Sequence, residues 1–297
     1  MFARHLSAIV VVAVICAPLA GSSDQDTAEV PPKLSVPDIR WAPSTGWTVK
    51  GLPPITSALS HASIELLVPT RDSEWVEGDE RTILWQWTGP VARIRIYCHY
   101  ELCKIGGRSR GQRGFNITDL VPNRGWVTWR VPWLDAPGFW LRIAGYDEAG
   151  RRVAVDERYV RLRPKEARNI HGTFILVLRD KQRLYFFKDD RLVRMHIVST
   201  ARPGYVTPRM APGTRRRGVR MGQVFTKIRH AWSDRYNCPM PYWLAITSTG
   251  SHGIHATTPG AYRRLGRPAS HGCIRQHLND ARALYNMVEV GTPVYVF

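Results

Sequence analysis

Short segments in which apolar or aromatic residues alternate with polar ones fill the middle of the chain. Four of them lie between residues 64 and 165, each bounded by Gly, Pro, Asn or Asp: Thr82–Trp87, Ala92–Tyr97, Trp126–Val131 and Phe139–Ala144. Alternation with a period of two is typical of strands that bury one face. Several such strands at regular spacing predict a β-sandwich over residues 64–165.

A second group of apolar segments follows over residues 171–297. The predicted strands of this group are Phe174–Leu178, Arg183–Phe187, Leu192–Thr200, Gly222–Ile228, Trp243–Thr247 and Pro293–Phe297. Lys188, Asp189 and Asp190 are predicted to form a tight turn between the second and third strands. Apolar residues at helical spacing predict one late helix, from about Leu278 to Met287. The pattern therefore predicts a mostly β fold class with two domains and a single helix.

The N-terminal residues have a different pattern. Arg4 and His5 precede the apolar run Leu6–Ala17, and small residues follow at Ala20–Ser22. This layout predicts a secretory signal peptide over residues 1–22, because the apolar run is shorter than the ~20 residues of the alternative, a membrane anchor. Many prolines without periodicity predict an extended linker over residues 23–63. We therefore expect export across the inner membrane to the periplasm or cell envelope.

The composition adds a strong positive charge. The 297 residues include 42 Lys and Arg against 24 Asp and Glu, a formal net charge of +18. Such a charge attracts anionic partners, and for an exported protein we expect acidic envelope polymers rather than nucleic acid. The alternative is that the positive charge serves only to keep the protein in solution. The arginine-rich segment from Arg209 to Arg220 also has two explanations. It is either a mobile solvated loop or a lid that recruits an anionic polymer.

Candidate chemistry lies in the segment Ser270–Arg275, where Cys273 follows His271 and Gly272. A thiolate is the nucleophilic form of cysteine, and it forms near neutral pH beside a cation or a helix N-terminus. Helical spacing after Arg275 predicts that backbone amides around Cys273 face a developing oxyanion. The alternative for an arbitrary cysteine is an inert buried thiol.

The stretch from Met240 onwards resembles the catalytic domain of the L,D-transpeptidases, also called YkuD-like. Three pieces carry the resemblance: Met240–Trp243, Gly253–His255 and Ser270–Arg275. It implies a β-rich catalytic domain over residues 171–297 that acts on peptidoglycan stem peptides and requires no cofactor.

A weaker resemblance concerns the predicted sandwich over residues 64–165. It is carried by Val68–Pro69, Trp75–Asp79 and Ile83–Trp85, together with the strand that contains Arg142 and Ile143. These pieces resemble immunoglobulin-like domains of surface and wall-associated proteins. The whole fold is therefore expected to be an immunoglobulin-like β-sandwich followed by a YkuD-like domain.

The resemblance to L,D-transpeptidases also implies roles for individual residues. Cys273 is the expected nucleophile and His255 its general base, oriented by the main-chain carbonyl of Ala256. The backbone amides of Gly272 and Cys273 are expected to bind the oxyanion, with His271 in a supporting role. The residues expected to contact substrate are Arg275, which would hold a carboxylate, Ser270, and the two residues that would line the acyl pocket, Tyr242 and Trp243.

The implied reaction is attack by Cys273 on a tetrapeptide stem, followed by transfer of the acyl group to an amine of a second stem or an anchored protein. Water as acceptor would instead make the protein an L,D-carboxypeptidase. A non-catalytic wall-binding protein is a further alternative. So is a zinc hydrolase with the ligands His252, His255, His271 and Cys273. No Asp or Glu lies between Asp234 and Asp280 to serve as general base, which disfavours zinc hydrolysis.

The remaining cysteines allow two arrangements. A local disulfide between Cys98 and Cys103 is the simplest assignment in an oxidising compartment. Two reduced core residues are the alternative. Cys238 is expected to be unpaired or buried near Cys273.

Overall fold

The structure is a computed structural model that describes residues 39–42, 46–49 and 62–297. The predicted signal peptide and most of the predicted linker lie outside the described residues. The chain divides into two compact units, residues 1–56 and 57–297. The first contains an antiparallel strand pair, β1 (Ile39–Ala42) and β2 (Gly46–Val49). Among the described residues, no helix is long and apolar enough to span a membrane.

The second unit begins with a sandwich of nine strands. In chain order they are β3 (Ser63–Val68), β4 (Glu74–Val76), β5 (Glu80–Thr88), β6 (Arg93–Glu101), β7 (Gln112–Asn116), β8 (Val121–Pro122), β9 (Trp126–Arg130), β10 (Gly138–Tyr146) and β11 (Arg152–Arg163). One sheet has the order β3-β5-β9 and the other β4-β11-β10-β6-β7, with β8 paired to β6. Buried positions alternate with more exposed ones along β3, β5 and most of β6, so the inner faces of both sheets form one apolar core.

A nine-stranded sheet follows in the same unit. Its strands are β12 (Phe174–Leu178), β13 (Arg183–Lys188), β14 (Arg191–Ser199), β15 (Arg215–Arg216), β16 (Val219–Ser233), β17 (Cys238–Thr247), β18 (Gly253–Ala256), β19 (Ile274–Gln276) and β20 (Val294–Val296). Their order is β15-β16-β17-β18-β19-β14-β13-β12-β20. Helix α1 (Leu278–Met287) contributes Leu284 to the core that the sheet encloses. The mostly β fold class with one late helix is therefore confirmed.

Strands β12 and β13 are buried on both faces. On one face, Ile175, Val177, Leu184 and Phe186 join the core that contains α1. On the other face, the aromatic rings of Phe174, Tyr185 and Phe187 pack in a separate cluster with Ala167 and Ile170, which precede the sheet. Continuous apolar runs rather than alternation are the sequence mark of such strands.

Two turns of the second domain depend on residues in the left-handed region. Asp189 and Asp190, with φ of 50° and 64°, form the predicted tight turn between β13 and β14. Arg217 and Gly218, with φ of 49° and 80°, join β15 to β16, where Arg215 pairs with Arg220. The arginine-rich segment, expected as an irregular loop, therefore contains a β-hairpin, because two residues of positive φ close the chain on itself.

Buried ion pairs join the sandwich to the second domain. Asp135 accepts from both Nε and Nη2 of Arg183, at 2.7 and 2.6 Å. The ammonium group of Lys181 lies 2.8 Å from both carboxylate oxygens of Glu77. The carboxylates come from the sandwich, and the cations come from the turn between β12 and β13 and from the start of β13. The two domains of this unit are therefore fixed against each other by paired charges.

Cys98 and Cys103 are free thiols, so the disulfide assignment is wrong. Cys98 points into the sandwich core from β6. Cys103 faces the other domain, and its Sγ donates to the main-chain oxygen of Met195 at 3.4 Å. The strand alternation and the turn after β6 direct the two side chains into different environments, which prevents pairing. The sequence alternative of two reduced buried residues describes them correctly.

Candidate active site

Parallel pairing of β18 with β19 assembles the site. His255 is in register with Arg275, and Ile254 with Ile274. Neighbouring residues in register point to the same face of a sheet, and Cys273 is two positions before Arg275, so its side chain shares that face. This explains how a histidine distant in sequence reaches the cysteine without a helix between them.

The shared face opens into a cavity of about 340 Å³. Its lining includes the predicted residues His255, His271, Cys273, Arg275 and Trp243. It also includes residues that sequence reasoning did not assign to the site: Ser233, Arg235, Tyr236, Met240, Gly250 and Ser251. Most of these lie on the β16–β17 hairpin or on the turn before β18. Met240 opens one of the three motif pieces, although no role was assigned to it. The sequence pattern did not indicate the others, because they occupy turns and strand ends rather than a motif.

His255 is held as a neutral base. Its Nδ1 lies 2.7 Å from the carbonyl oxygen of Ala256, the contact that the family resemblance implies. A carbonyl only accepts, so Nδ1 carries the proton and Nε2 is free to accept one. Burial lowers the pKa of His255 to about 4, with a smaller lowering from Arg275. The ring is therefore uncharged near neutral pH.

Cys273 is a protonated thiol in the resting site. Burial raises its pKa, while a hydrogen bond from the Gly253 amide and the charge of Arg275 act in the opposite direction. The predicted lowering by a helix N-terminus is absent, because strand β19 separates the cysteine from α1, which begins at Leu278. Of the expected influences on the thiol, the charge of Arg275 is therefore present and the helix N-terminus is not.

Trp243 and Tyr242 have different surroundings. Trp243 lines the cavity, and its ring centroid lies 5.6 Å from that of His255. A Cβ on Gly253 would come within 2.5 Å of the Trp243 ring, so this close packing requires a glycine. Tyr242 has a φ of 57° and packs its ring against Tyr285 of α1 at 5.6 Å. Trp243 therefore lines the cavity as expected, whereas Tyr242 does not, because its left-handed backbone turns its ring to α1.

The segment before Cys273 is tightly bonded. Gly272 donates its amide to Oγ of the buried Ser270 at 3.0 Å, and its carbonyl accepts from Thr207 Oγ1 at 2.7 Å. The Gly272 amide was expected to face the oxyanion, but in the structure it donates to the Ser270 side chain. The Cys273 amide therefore remains as the expected donor to the oxyanion. Gly272 has a φ of 138°, and a Cβ there would lie 2.9 Å from His252 Nε2. Ser270 and Gly272 are therefore placed as scaffold of the loop.

His271 lies at the rim of the cavity between two tyrosines. The ring centroids of Tyr205 and Tyr236 are 4.6 and 4.7 Å from that of His271. Arg202 Nη2 lies 2.9 Å from His271 Nε2. Burial lowers the pKa of His271, and the charges of Arg202, Arg275 and Arg235 lower it further.

The candidate zinc ligands do not form a metal site. Among residues 62–297, no group of three or more His, Cys, Asp or Glu side chains is arranged to hold a metal ion. His252 instead lies 3.2 Å from Ser251 Oγ and hydrogen-bonds the Val206 carbonyl. Cys238 is an unpaired thiol that lines the same cavity as Cys273.

Two other features are separate from this site. The hairpin of Arg215–Arg220 contributes no residue to the lining of the cavity. A larger cleft of about 540 Å³ lies between the two domains and is lined by Tyr100, Trp140 and Tyr159 among others. Neither Cys273 nor His255 reaches that cleft. The candidate thiol and imidazole therefore both belong to the smaller cavity.

Comparison with known proteins finds matches to the second domain. Residues 172–296 match the family model of the L,D-transpeptidase (YkuD) catalytic domain. The chain is 36% identical over 101 residues to probable L,D-transpeptidase 3 of Mycobacterium tuberculosis, a match that covers 33% of this chain and 36% of that relative. The matched region thus spans about a third of the relative's length.

Solved structures of the same kind are also similar. The crystal structure of L,D-transpeptidase 3 from M. tuberculosis is 17% identical with a TM-score of 0.36, covering 78% of this chain and 97% of that one. The catalytic domain of an E. faecium L,D-transpeptidase is 26% identical with a TM-score of 0.34, covering 43% and 99%.

Proposed function

We propose, on the premise that residues 172–296 match the family model of the L,D-transpeptidase catalytic domain, that the protein is a cysteine-dependent acyltransferase acting on peptidoglycan tetrapeptide stems. One observation carries the proposal: Cys273 and His255 line one cavity, and the Ala256 carbonyl leaves His255 Nε2 as a proton acceptor. Nucleophilic catalysis by a thiol needs this combination of a sulfur and an oriented base.

The first half of the reaction forms a thioester. His255 takes the proton of the Cys273 thiol as the sulfur attacks the carbonyl that links an L-centre to the terminal D-residue. The C–N bond then breaks, and the proton passes from His255 to the departing amine of the D-residue. The Cys273 amide is the expected donor to the tetrahedral oxyanion.

The second half returns the enzyme to its resting state. An amine of a second stem or of an anchored protein attacks the thioester, gives its proton to His255 and displaces the sulfur, which takes that proton back. Water in place of the amine would give carboxypeptidase activity through the same intermediate. No metal or redox cofactor takes part in either step.

Substrate contacts follow from the remaining lining residues. Arg275 lies beside Cys273 on the same face and presents a guanidinium suited to a carboxylate. Trp243 packs against His255 and gives the cavity an apolar side. We assign Arg275 to the carboxylate of the D-residue and Trp243 to the acyl side of the stem.

The place of action follows from the sequence rather than from the site. The signal-like N-terminus and the net charge of +18 support export to a compartment that contains acidic wall polymers. We therefore place the enzyme in the periplasm or cell envelope. Determining the N-terminal residue of the protein recovered from the envelope fraction tests this location.

A product-mass experiment tests the activity. The purified protein is incubated with a disaccharide tetrapeptide, and the products are read by mass spectrometry. A cross-linked dimer indicates transpeptidation, a disaccharide tripeptide indicates hydrolysis, and no product contradicts the proposal. Chelation of divalent metals should leave turnover unchanged.

Two variants locate the chemistry. Cys273→Ala should abolish both products, and retained turnover would exclude the mechanism. Cys98→Val, which removes a thiol from the sandwich core, should leave turnover intact because Cys98 is remote from the cavity. Peptide mapping of the trapped acyl-enzyme should find the added mass on Cys273 and not on Cys238.

A further inference from the structure

Two arginines are stacked on tyrosines at the rim of the active-site cavity. The guanidinium carbon of Arg202 lies 5.0 Å from the ring centroid of Tyr205. That of Arg235 lies 5.6 Å from the ring centroid of Tyr236. Both tyrosines pack on His271. Stacking on an aromatic ring restricts a guanidinium, so these charges occupy defined positions around His271.

The two arginines come from separate turns. Arg202 and Tyr205 belong to the turn after β14, which closes with a hydrogen bond from the Tyr205 amide to the Arg202 carbonyl at 3.1 Å. Arg235 and Tyr236 belong to the turn that joins β16 to β17. The fold therefore brings two Arg–Tyr pairs that are distant in sequence to one histidine. A run of basic residues within one segment would not produce this arrangement.

The bond between Arg202 and His271 fixes the protonation of the ring. Arginine only donates, so His271 Nε2 accepts and the proton resides on Nδ1. Burial and the neighbouring arginines lower the pKa of His271, which keeps the ring neutral near pH 7. His271 Nδ1 is buried and has no hydrogen-bond partner among the described residues. The rim thus combines two cationic groups with a neutral ring that carries an unused donor.

No carboxylate neutralises these cations. In the described part of the chain, no Asp or Glu oxygen lies within 4.0 Å of Arg202, Arg235 or Arg275. The cavity lining contains no acidic residue. By contrast, Arg183 in the domain interface has an aspartate partner. The positive charge at this site is therefore not compensated by the described residues, and an anionic ligand could neutralise it.

We propose that Arg202 and Arg235 bind a second carboxylate of the substrate, separate from the one assigned to Arg275. This inference rests on the proposed function and narrows it to stem peptides with a free side-chain carboxylate. A carboxylate has two oxygens, so it pairs with one guanidinium fork or accepts one bond from each of two guanidiniums. Arg235 and Arg275 line the cavity, and Arg202 is bonded to His271, which also lines it. A terminal carboxylate held by Arg275 therefore leaves Arg202 and Arg235 without an anionic partner. A carboxamide in place of the side-chain carboxylate would leave the rim arginines unpaired.

A matched pair of tetrapeptides tests this selectivity. Both carry a diamino dicarboxylic acid as third residue, with its side-chain carboxyl either free or converted to carboxamide. We expect the KM of the free acid to be about tenfold lower than that of the amide at low salt, with kcat similar for both. Added salt should reduce the difference, because both arginines are exposed to solvent.

Variants connect the selectivity to the two side chains. The double substitution Arg202→Ala with Arg235→Ala should raise the KM of the free acid to that of the amide and leave the KM of the amide unchanged. The matched control is Arg263→Ala with Arg267→Ala, which removes two exposed arginines that line none of the cavities described above. This control should retain the full difference between the peptides.

The outcomes separate the two proposals. Turnover of neither peptide contradicts the transpeptidase function itself. Turnover of both peptides with equal KM overturns only the inference about the rim arginines. The inference is also overturned if the double variant loses activity on both peptides equally, since that result would indicate a structural role for the stacked arginines.

Discussion

His255 Nδ1 donates to the main-chain oxygen of Ala256 at 2.7 Å, and this bond holds a ring that is neutral at physiological pH. The thiol of Cys273 is neutral as well, because burial raises its pKa. The resting site is therefore an uncharged thiol beside an uncharged imidazole, not an ion pair. In the proposed mechanism, proton transfer to His255 therefore accompanies attack on the substrate.

This protonation state predicts the pH dependence of alkylation. The rate of Cys273 carboxamidomethylation by iodoacetamide should be slow at pH 7 and rise continuously above pH 8, because the thiolate fraction grows as the pH approaches a raised pKa. The measurement is the mass of the peptide that contains Cys273 after timed quenching. A rate plateau between pH 5 and 8 would instead indicate a preformed thiolate–imidazolium pair.

Two buried histidines predict a loss of stability in acid. Burial lowers the pKa of both His255 and His196 to about 4, whereas an unfolded histidine titrates near about 6.5. Between these values the unfolded state binds more protons, so the free energy of unfolding should fall as pH drops from 6.5 to 4. Urea unfolding at several pH values measures this slope.

The variant His196→Gln isolates one of these contributions. It removes a titrating group while keeping an amide beside Gln276, which lies 3.4 Å from His196 Nδ1. Between pH 6.5 and 4, the variant should lose less stability than the unchanged protein. Carboxylates titrate equally in both proteins, so parallel curves would contradict the assigned pKa of His196.

Gly272→Ala should impair catalysis. The new Cβ would meet His252 Nε2 at 2.9 Å and the Val206 carbonyl at 3.2 Å, on a backbone with a φ of 138°. We expect kcat to fall by more than about tenfold, because the strain of about 1–3 kcal/mol displaces the loop that carries Cys273. Gly213→Ala has a positive φ of 83° but an open surrounding. Its kcat should be unchanged, and an equal loss in both variants would show that strain at Gly272 is not specific to the site.

Asp135→Ala should destabilise the joined domains. Arg183 would lose both hydrogen bonds to that carboxylate while its side chain remains only 8% exposed. Leaving such a charge unpaired costs about 3 kcal/mol, measurable as a lower urea midpoint. Adding Arg183→Met should recover part of the loss, since it removes the unpaired charge. Equal or greater destabilisation of the double variant would contradict this explanation.

Most of the fold could be predicted because its elements have clear periodicity. The helix predicted at Leu278–Met287 has those bounds in the structure. The strand predicted at Gly222–Ile228 extends further on both sides, as Val219–Ser233. Its C-terminal part is mostly exposed and includes the polar residues Arg229, His230 and Ser233, so the sequence pattern did not reveal its full length.

Residues of the candidate site that stand in a sequence motif could be predicted. Residues that only the tertiary structure brings to the site could not. Cys273 and His255 stand in short motifs that keep their spacing. Arg202 and Tyr236, in contrast, reach His271 from turns whose placement depends on the whole sheet. The error for Tyr242 has a local cause, since one left-handed residue turns its ring to α1.

Strands β12 and β13 are closed on their second face by Ala167, Ile170 and the Trp133 indole, whose Nε1 lies 3.5 Å from the Tyr185 hydroxyl. Cutting the chain at residue 172 would expose the rings of Phe174, Tyr185 and Phe187 to water as an aggregation-prone apolar surface. The family model matches residues 172–296, but residues before 172 cover one apolar face of that domain. The folding unit is therefore larger than the matched region. The sandwich therefore helps to shield this apolar face of the second domain from water.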